Sequence, residues 1–484
     1  MKSNYFSLLK QTLQILILLL ILASEFIFAG QNNTQTSLQN KIDNIINDKS
    51  LNVCSIGIEI VDVESDKVLY SLNGEKLFHP ASNLKLLTTA AAIHLLPSKF
   101  QFKTIISING TLNSGSVQGD LIISGFGDPL FSNTDLDSIV FKIKIIGIHQ
   151  INGNIILDGS YFDSLKWGRG WMWDDEPDPT APIISPICID QNTVKIKVSP
   201  NKILSNAPLI EFSPPSDYFR TMNGAYTSND TSLPKITLTR IRGTDTILLN
   251  GRIASNDSSQ EFHISLREPQ NYFLHLLTDK LKSAKIEVLG KITHSQNNKT
   301  RQIFSLSRSI DSVLHQANKM SDNLCAENLL KTISAEVLHK PGSTSDGINL
   351  LKDFLYKSQI DTSLMFLADG SGASWYNALS PKSIVTLLCS EYKKTSFKRY
   401  FETLSIAGVD GTLKNRLKGT SAENNVHAKT GTLTGNNCVS GYVRTADNKM
   451  VAFSILINHC PASQRVMRDV EDRIIDLLAR MSVK

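Results

Sequence analysis

The chain has 484 residues, 41% of them hydrophobic and 20% charged, with a formal net charge of +5. This is the composition of a globular protein of two to three domains, and it excludes a disordered, collagenous or disulfide-scaffold chain. The positive excess is small and contains no long Lys/Arg run, so it gives no support to nucleic acid as a partner.

Residues 1–29 read as a secretory signal peptide. Lys2 and Lys10 precede the apolar run Ile15–Ala23, and small residues follow at Ala29-Gly30. Glu25 interrupts the run, which is short for a spanning helix. Cleavage is expected near Ala29 or Gly30; the alternative is an uncleaved start that holds the protein peripherally at a membrane. Export permits disulfides. The six cysteines (Cys54, Cys188, Cys325, Cys389, Cys438 and Cys460) are widely spread with no C-x-x-C, so buried free thiols are expected rather than a metal or redox motif.

After a short helical pattern over 40–51, Ser55–Ile60 alternates strictly and predicts a strand. Lys67–Tyr70 predicts a second, followed by the turn signal Asn73-Gly74. From Ser82 to Leu96 the chain is apolar nearly all round, which predicts a buried helix ended by Pro97. Between about 101 and 300 short alternating segments are punctuated by Asn109-Gly110, Asn152-Gly153, Asp158-Gly159 and Asn250-Gly251. They predict β-rich inserted material with one helix at about 268–284. Helical patterns return at Ile310–Asn318 and Asn323–Leu338. Val439–Arg444 and Met450–Asn458 then predict two strands joined at Asp447-Asn448, and a final helix carries Val466, Val470, Ile474 and Leu478. Strands at both chain ends imply one sheet completed by both termini.

Three motifs carry chemistry. In Ser82-Asn83-Leu84-Lys85 a hydroxyl and an amine three residues apart share one helix face. A neutral Lys can take the Ser proton, and the helix start supplies N–H groups for developing negative charge. Ser7–Lys10 and Ser199–Lys202 match the same spacing by accident, but only Ser82 opens a buried helix, where a Lys must be desolvated or paired. Read alone, Ser82 would be an N-cap beside a snorkelling lysine. Ser321-Asp322-Asn323 offers a hydroxyl for proton relay and an amide that can hold a substrate backbone and also contact the lysine; read alone it is a helix cap. Lys429-Thr430-Gly431-Thr432 offers a cation and two hydroxyls suited to a carboxylate, with Gly431 permitting close backbone approach. It is expected on an edge strand; read alone it is a polar edge with a defensive Lys.

In this order the three motifs are the signature of penicillin-binding proteins and β-lactamases. The 236 positions from Lys85 to Ser321 are far more than a β-lactamase has. With Pro80–Thr89, Gly170–Asp175, Asp369–Gly372, Ala407–Leu413 and Ala428–Gly435, the sequence resembles the class C low-molecular-mass penicillin-binding proteins, a family of serine D-alanyl-D-alanine carboxypeptidase/endopeptidases. The resemblance runs from about residue 40 to the C-terminus and is weakest within about 185–300.

It implies an α/β (α+β) fold: a transpeptidase/β-lactamase-like domain of residues 30–100 and 301–484, with an antiparallel sheet flanked by helices, interrupted by an inserted β-rich region at 101–300. It implies a periplasmic enzyme acting on peptidoglycan stem peptides and acylated by β-lactams, with no metal or other cofactor. Ser82 is then the nucleophile, Lys85 the general base, Ser321 the proton shuttle and Asn323 the ligand of the substrate amide. Lys429, Thr430 and Thr432 receive the substrate carboxylate beside Gly431, and the N–H groups of Ser82 and Thr432 form the oxyanion hole. Close relatives carry an Arg after Asp-Gly-Ser-Gly that recognises the third stem residue; here Ala373-Ser374-Trp375 follows, which puts that specificity in question. Asp369 and Ser371 are read as shaping a tight loop, and Asp174-Asp175 as solvated rim acids, the alternative being contact with a free amine of the substrate. The competing readings are a serine β-lactamase or esterase, which needs a dedicated water-activating base, and a non-catalytic scaffold, against which the intact motif residues stand.

Overall fold

The computed structural model describes residues 38–294 and 300–483; the signal-peptide reading of 1–29 lies outside them. Packing groups the chain into two compact units. One comprises His79–Leu379 and Lys394–Ser405, and the other comprises the segments up to Phe78, Ser380–Lys393 and Ile406 onward.

In the first unit four helices pack together: α1 (Lys85–Leu95), α4 (Ile310–Lys319), α5 (Asn323–Leu338) and α6 (Thr344–Lys357). Every residue of α1 from Lys85 to Ile93 is buried, as is α5 from Leu324 to Ala335. For α1 this matches a sequence that is apolar nearly all round, whereas α5 also buries polar side chains, among them Glu327, Asn328 and Lys331. The expected helix from Ser82 begins as a 3-10 turn, Ala81–Leu84, before the α-helix starts at Lys85.

The region between α1 and α4 is β-rich, as its alternation predicts. A seven-stranded sheet includes Gln101–Asn113, Ser116–Gly125, Ile155–Asp158 and Arg301–Ser309. It shares a core with α2 (Asn133–Ile145), α3 (Pro269–Ser283) and the strand Thr193–Ser199. Asn109-Gly110 is not a turn. Gly110 lies inside a strand opposite Gly119, and the hairpin turns at Ser114-Gly115, where both φ angles are positive (46° and 80°). A Cβ on Gly119 would stand 1.7 Å from Asn109 O, so these glycines serve close strand approach.

The second unit is built on a six-stranded sheet in the order Ser405–Ile406, His427–Leu433, Asn436–Arg444, Met450–Asn458, Ser55–Asp62, Lys67–Leu72. Pairing is antiparallel from His427–Leu433 to Lys67–Leu72. Both chain ends therefore complete one sheet, as expected. Met450–Asn458 is buried at all nine positions. Alternate residues divide between two layers. Val439, Val443, Phe453 and Ile455 join Ile42, Val470 and Ile474 in one core, the last two on α8 (Gln464–Arg480). Tyr442 points the other way and donates its hydroxyl to Leu388 O on α7 (Pro381–Tyr392) at 2.8 Å.

Free thiols at all six cysteines are not what forms. Cys54, just before one central strand, and Cys460, just after its antiparallel neighbour, are joined in a disulfide across a sequence separation of 406. The sheet brings them together, and no sequence spacing could announce it. Cys188, Cys325, Cys389 and Cys438 are buried free thiols, as expected.

Candidate active site

The first unit gathers Ser82, Lys85 and Asn323 into one network. In a 3-10 turn residues i and i+3 eclipse, so the turn over Ala81–Leu84 sets the Ser82 hydroxyl directly beside the Lys85 side chain. Lys85 Nζ lies 2.9 Å from Ser82 Oγ, 2.5 Å from Asn323 Oδ1 and 2.8 Å from Ser371 O. Ser82 is half-buried while Lys85 is fully buried.

Burial lowers the Lys85 pKa to about 8, against the opposing pull of Asp369, Glu327 and Asp322. A neutral lysine amine has two N–H groups and one lone pair. Asn323 Oδ1 and Ser371 O can only accept, so they take the two N–H groups. The lone pair is left facing the Ser82 hydroxyl, the one partner able to donate. So arranged, the neutral amine can take the proton of the Ser82 hydroxyl.

The turn is held by the loop 369–372. Ala81 has φ +45°, a left-handed conformation costly for a residue with a Cβ. Gly372, at φ +83°, packs so close that a Cβ there would meet Ala81 O at 1.9 Å. Asp369 ties the loop internally by accepting from Gly372 N (2.9 Å), Ser374 N (2.7 Å), Asn377 Nδ2 (2.7 Å) and Trp171 Nε1 (2.9 Å). Asp369 and Ser371 therefore shape the loop, as the sequence suggested.

Ser321 adopts φ +61°, turning the chain into the N-cap of α5, where Asp322 accepts from Cys325 N at 2.8 Å. Gln191 donates to the other Asp322 oxygen. Asn323 occupies the first helical position with its carboxamide used at both ends: Oδ1 on Lys85, and Nδ2 donating to Thr180 O at 2.5 Å. The sequence pointed to the lysine contact but not to Thr180. It also missed Glu327, whose fully buried carboxylate accepts from Gly370 N (3.0 and 3.1 Å) and Ser371 N (2.8 Å). The available signal was an acid four residues after Asn323 and so on its face, early in a helix rich in apolar residues. Trp375, at the position of the absent Arg, is half-buried and meets the His79 ring edge-on at 5.4 Å. Asp175 accepts from Met172 N within its own turn, while Asp174 is exposed. Far along the chain, Asp217, His275 and Asp279 bring ligand-type atoms within 4.8 Å of one another, a grouping the sequence did not reveal.

The second unit carries the third motif on His427–Leu433. This strand is not outermost, because Ser405–Ile406 lies beyond it. Lys429 is fully buried, with Nζ donating to Thr430 O at 2.6 Å. Thr430 Oγ1 donates to Thr412 Oγ1 at 2.7 Å, and Thr432 Oγ1 donates to Asn437 Oδ1 at 3.1 Å. Gly431 pairs with Cys438 on the neighbouring strand. Asn437 in turn donates to Glu471 on α8 (2.8 Å), which Arg416 pairs at 2.9 Å.

The model of the D-Ala-D-Ala carboxypeptidase 3 (S13) family matches residues 38–481. The D-alanyl-D-alanine carboxypeptidase of Actinomadura sp. (strain R39) is 29% identical over 463 residues, covering 92% of this chain and 86% of that protein. The crystal structure of penicillin binding protein 4 from Haemophilus influenzae matches with a TM-score of 0.82 at 26% identity, covering 91% of this chain and 99% of that one. A structure of the same Haemophilus protein complexed with a β-lactam matches with a TM-score of 0.77 at 24% identity and the same coverage.

Proposed function

The chain belongs to the D-Ala-D-Ala carboxypeptidase 3 (S13) family, and from that premise we propose that it hydrolyses peptidoglycan stem peptides through an acyl-enzyme on Ser82. The family makes it a serine D-Ala-D-Ala carboxypeptidase/endopeptidase of the penicillin-binding type. The observation that carries the choice of nucleophile is the 2.9 Å approach of Lys85 Nζ to Ser82 Oγ, with both other N–H directions of the amine filled by carbonyls.

The reaction begins with Ser82 Oγ bonding to the carbonyl carbon before a terminal D-alanine, or before the cross-linking residue in an endopeptidase. Its proton passes to Lys85 Nζ. The C–N bond then breaks as the leaving amine takes a proton back, with Ser321 as the relay. Water next hydrolyses the ester and regenerates the Ser82 hydroxyl. A β-lactam follows the same first step, but its ring opens without a group departing, so the ester persists. Asn323 binds the substrate amide, which requires its Nδ2 to exchange Thr180 O for substrate. By motif, Lys429, Thr430, Gly431 and Thr432 take the carboxylate. Residues 101–300 are the insertion that interrupts the catalytic domain. The N-terminal signal pattern, together with a cell-wall substrate, supports a periplasmic location.

The test incubates residues 30–484 with benzylpenicillin and follows intact mass, with Ser82→Ala beside it. One persistent equivalent that depends on Ser82 is expected, and muropeptide digestion then divides carboxypeptidase from endopeptidase activity. An adduct that vanishes as penicillin is consumed overturns the reading in favour of a β-lactamase. No adduct on the folded wild type overturns it in favour of a scaffold.

A further inference from the structure

One buried acid in the first unit is unused by the reaction above. Glu327 lies on α5 one turn after Asn323 and is completely buried. Its carboxylate accepts from the backbone N–H groups of Gly370 and Ser371, and the Ser371 side chain adds to this hold. The carbonyl of that same Ser371 holds one N–H of Lys85 at 2.8 Å. The other N–H goes to Asn323, on the same face of the same helix. One face of α5 thus fixes both acceptors that decide where the Lys85 lone pair points: Asn323 directly, and Ser371 O through Glu327. Thr88 Oγ1, donating to Gly370 O at 2.6 Å, is a second and weaker anchor of the same loop.

We propose that Glu327 is a positioning residue for the general base: it holds the Gly370–Ser371 backbone so that Ser371 O pins Lys85 and turns the amine lone pair toward Ser82. The proposal deepens the peptidase reading and rests on it for its kinetic test. Four titratable groups act on the Lys85 amine: Glu327 and the Cys325 thiol on α5, Asp322 at its N-cap, and Asp369 from the loop. Each favours the ammonium form. Removing the Glu327 charge therefore lowers the Lys85 pKa, even as loss of the anchor misdirects the lone pair. Burial and Asp369 raise the Glu327 pKa to about 7, partly offset by hydrogen bonds from the Ser371 side chain and from the Gly370 and Ser371 N–H groups. The carboxylate is therefore ionised above that pH, where the neutral fraction of Lys85 grows.

The test measures benzylpenicillin acylation of Glu327→Gln, Glu327→Asp and Thr88→Val from pH 5.5 to 10, separating the limiting acylation rate from the non-covalent dissociation constant. In parallel, 13Cε-lysine NMR follows the Lys85 titration in the same proteins, assigned with Lys85→Ala. Glu327→Gln is expected to lose about 100-fold in limiting rate, the scale of a misplaced catalytic group, with the dissociation constant little changed. Its acid limb and the Lys85 titration should both move down by about one pH unit. Glu327→Asp keeps the charge and should recover part of the rate with the limb unmoved. Thr88→Val should lose less than Glu327→Gln, because the carboxylate still holds the loop. A folded Glu327→Gln that acylates within about twofold of wild type with an unmoved limb overturns the proposal. So does a rate loss matched by equally weakened binding with an unmoved Lys85 titration, the mark of general loosening. If the wild type is not acylated at all yet the Lys85 titration moves in Glu327→Gln, the peptidase reading fails and the positioning role stands.

Discussion

The sharpest prediction concerns the charge on Lys85. With a pKa of about 8 instead of 10.5, the neutral fraction at pH 7 is about 9% rather than about 0.03%, a gain of roughly 300-fold in active base. The acylation rate by benzylpenicillin should therefore rise about tenfold per pH unit below the limb and level off above about pH 8. The same depression has a thermodynamic side. A base whose folded pKa lies below its unfolded value disfavours the folded state wherever the group is protonated in both. That penalty, on the order of 3 kcal/mol, is fully present below pH 8 and fades as pH rises toward 10.5. Lys85→Arg keeps a cation that cannot deprotonate, so it should fail to acylate at every pH. Stopped-flow mixing with a fluorescent penicillin between pH 6 and 10 measures the profile. A rate flat from pH 6 to 9, a midpoint near 10, or an active Lys85→Arg would refute lysine as the base.

Three further perturbations test the scaffold. Gly372→Ala should drop acylation by about 100-fold, because its Cβ would press on Ala81 O at 1.9 Å. Gly243→Ala is its control, with a similar positive φ but nothing within 4 Å, and it should leave the rate alone. Cys54→Ser should lower stability by about 2–4 kcal/mol, read from denaturant melts, and a reductant should make wild type match it. Arg416→Ala strands the buried Glu471 carboxylate, a loss of about 3–5 kcal/mol at neutral pH. Burial already raises the Glu471 pKa, so the deficit should grow as pH rises and shrink toward pH 5, where protonation relieves it. A deficit independent of pH would assign the loss to packing alone.

The residue pattern located α5 at its observed bounds and Met450–Asn458 as a strand, because each is buried along most of its length and keeps that burial in a long run rich in apolar residues. It failed where a residue's reason lies in a distant segment. Asn109-Gly110 has the chemistry of a turn, yet the glycine is there because the strand carrying Gly119 passes too close for a Cβ. Cys54 and Cys460 carry no shared spacing, and only the antiparallel pairing of the first and last long strands makes them neighbours.

The candidate site divides along the same line. Ser82 and Lys85 are legible because their relation is local, three residues apart in one turn. The two carbonyls that orient the lysine come from positions 238 and 286 residues away. A motif can therefore name a base but cannot say which way its lone pair points. That direction is set by groups that never react: the carboxamide oxygen of Asn323, the Ser371 carbonyl, and the glycine that lets the loop press against Ala81. An S-x-x-K pair found by chance, as at Ser199–Lys202, lacks this surround. Lys202 is exposed to water rather than buried among fixed acceptors. Burial beside two fixed acceptors is what distinguishes the Ser82–Lys85 pair from a coincidence of spacing.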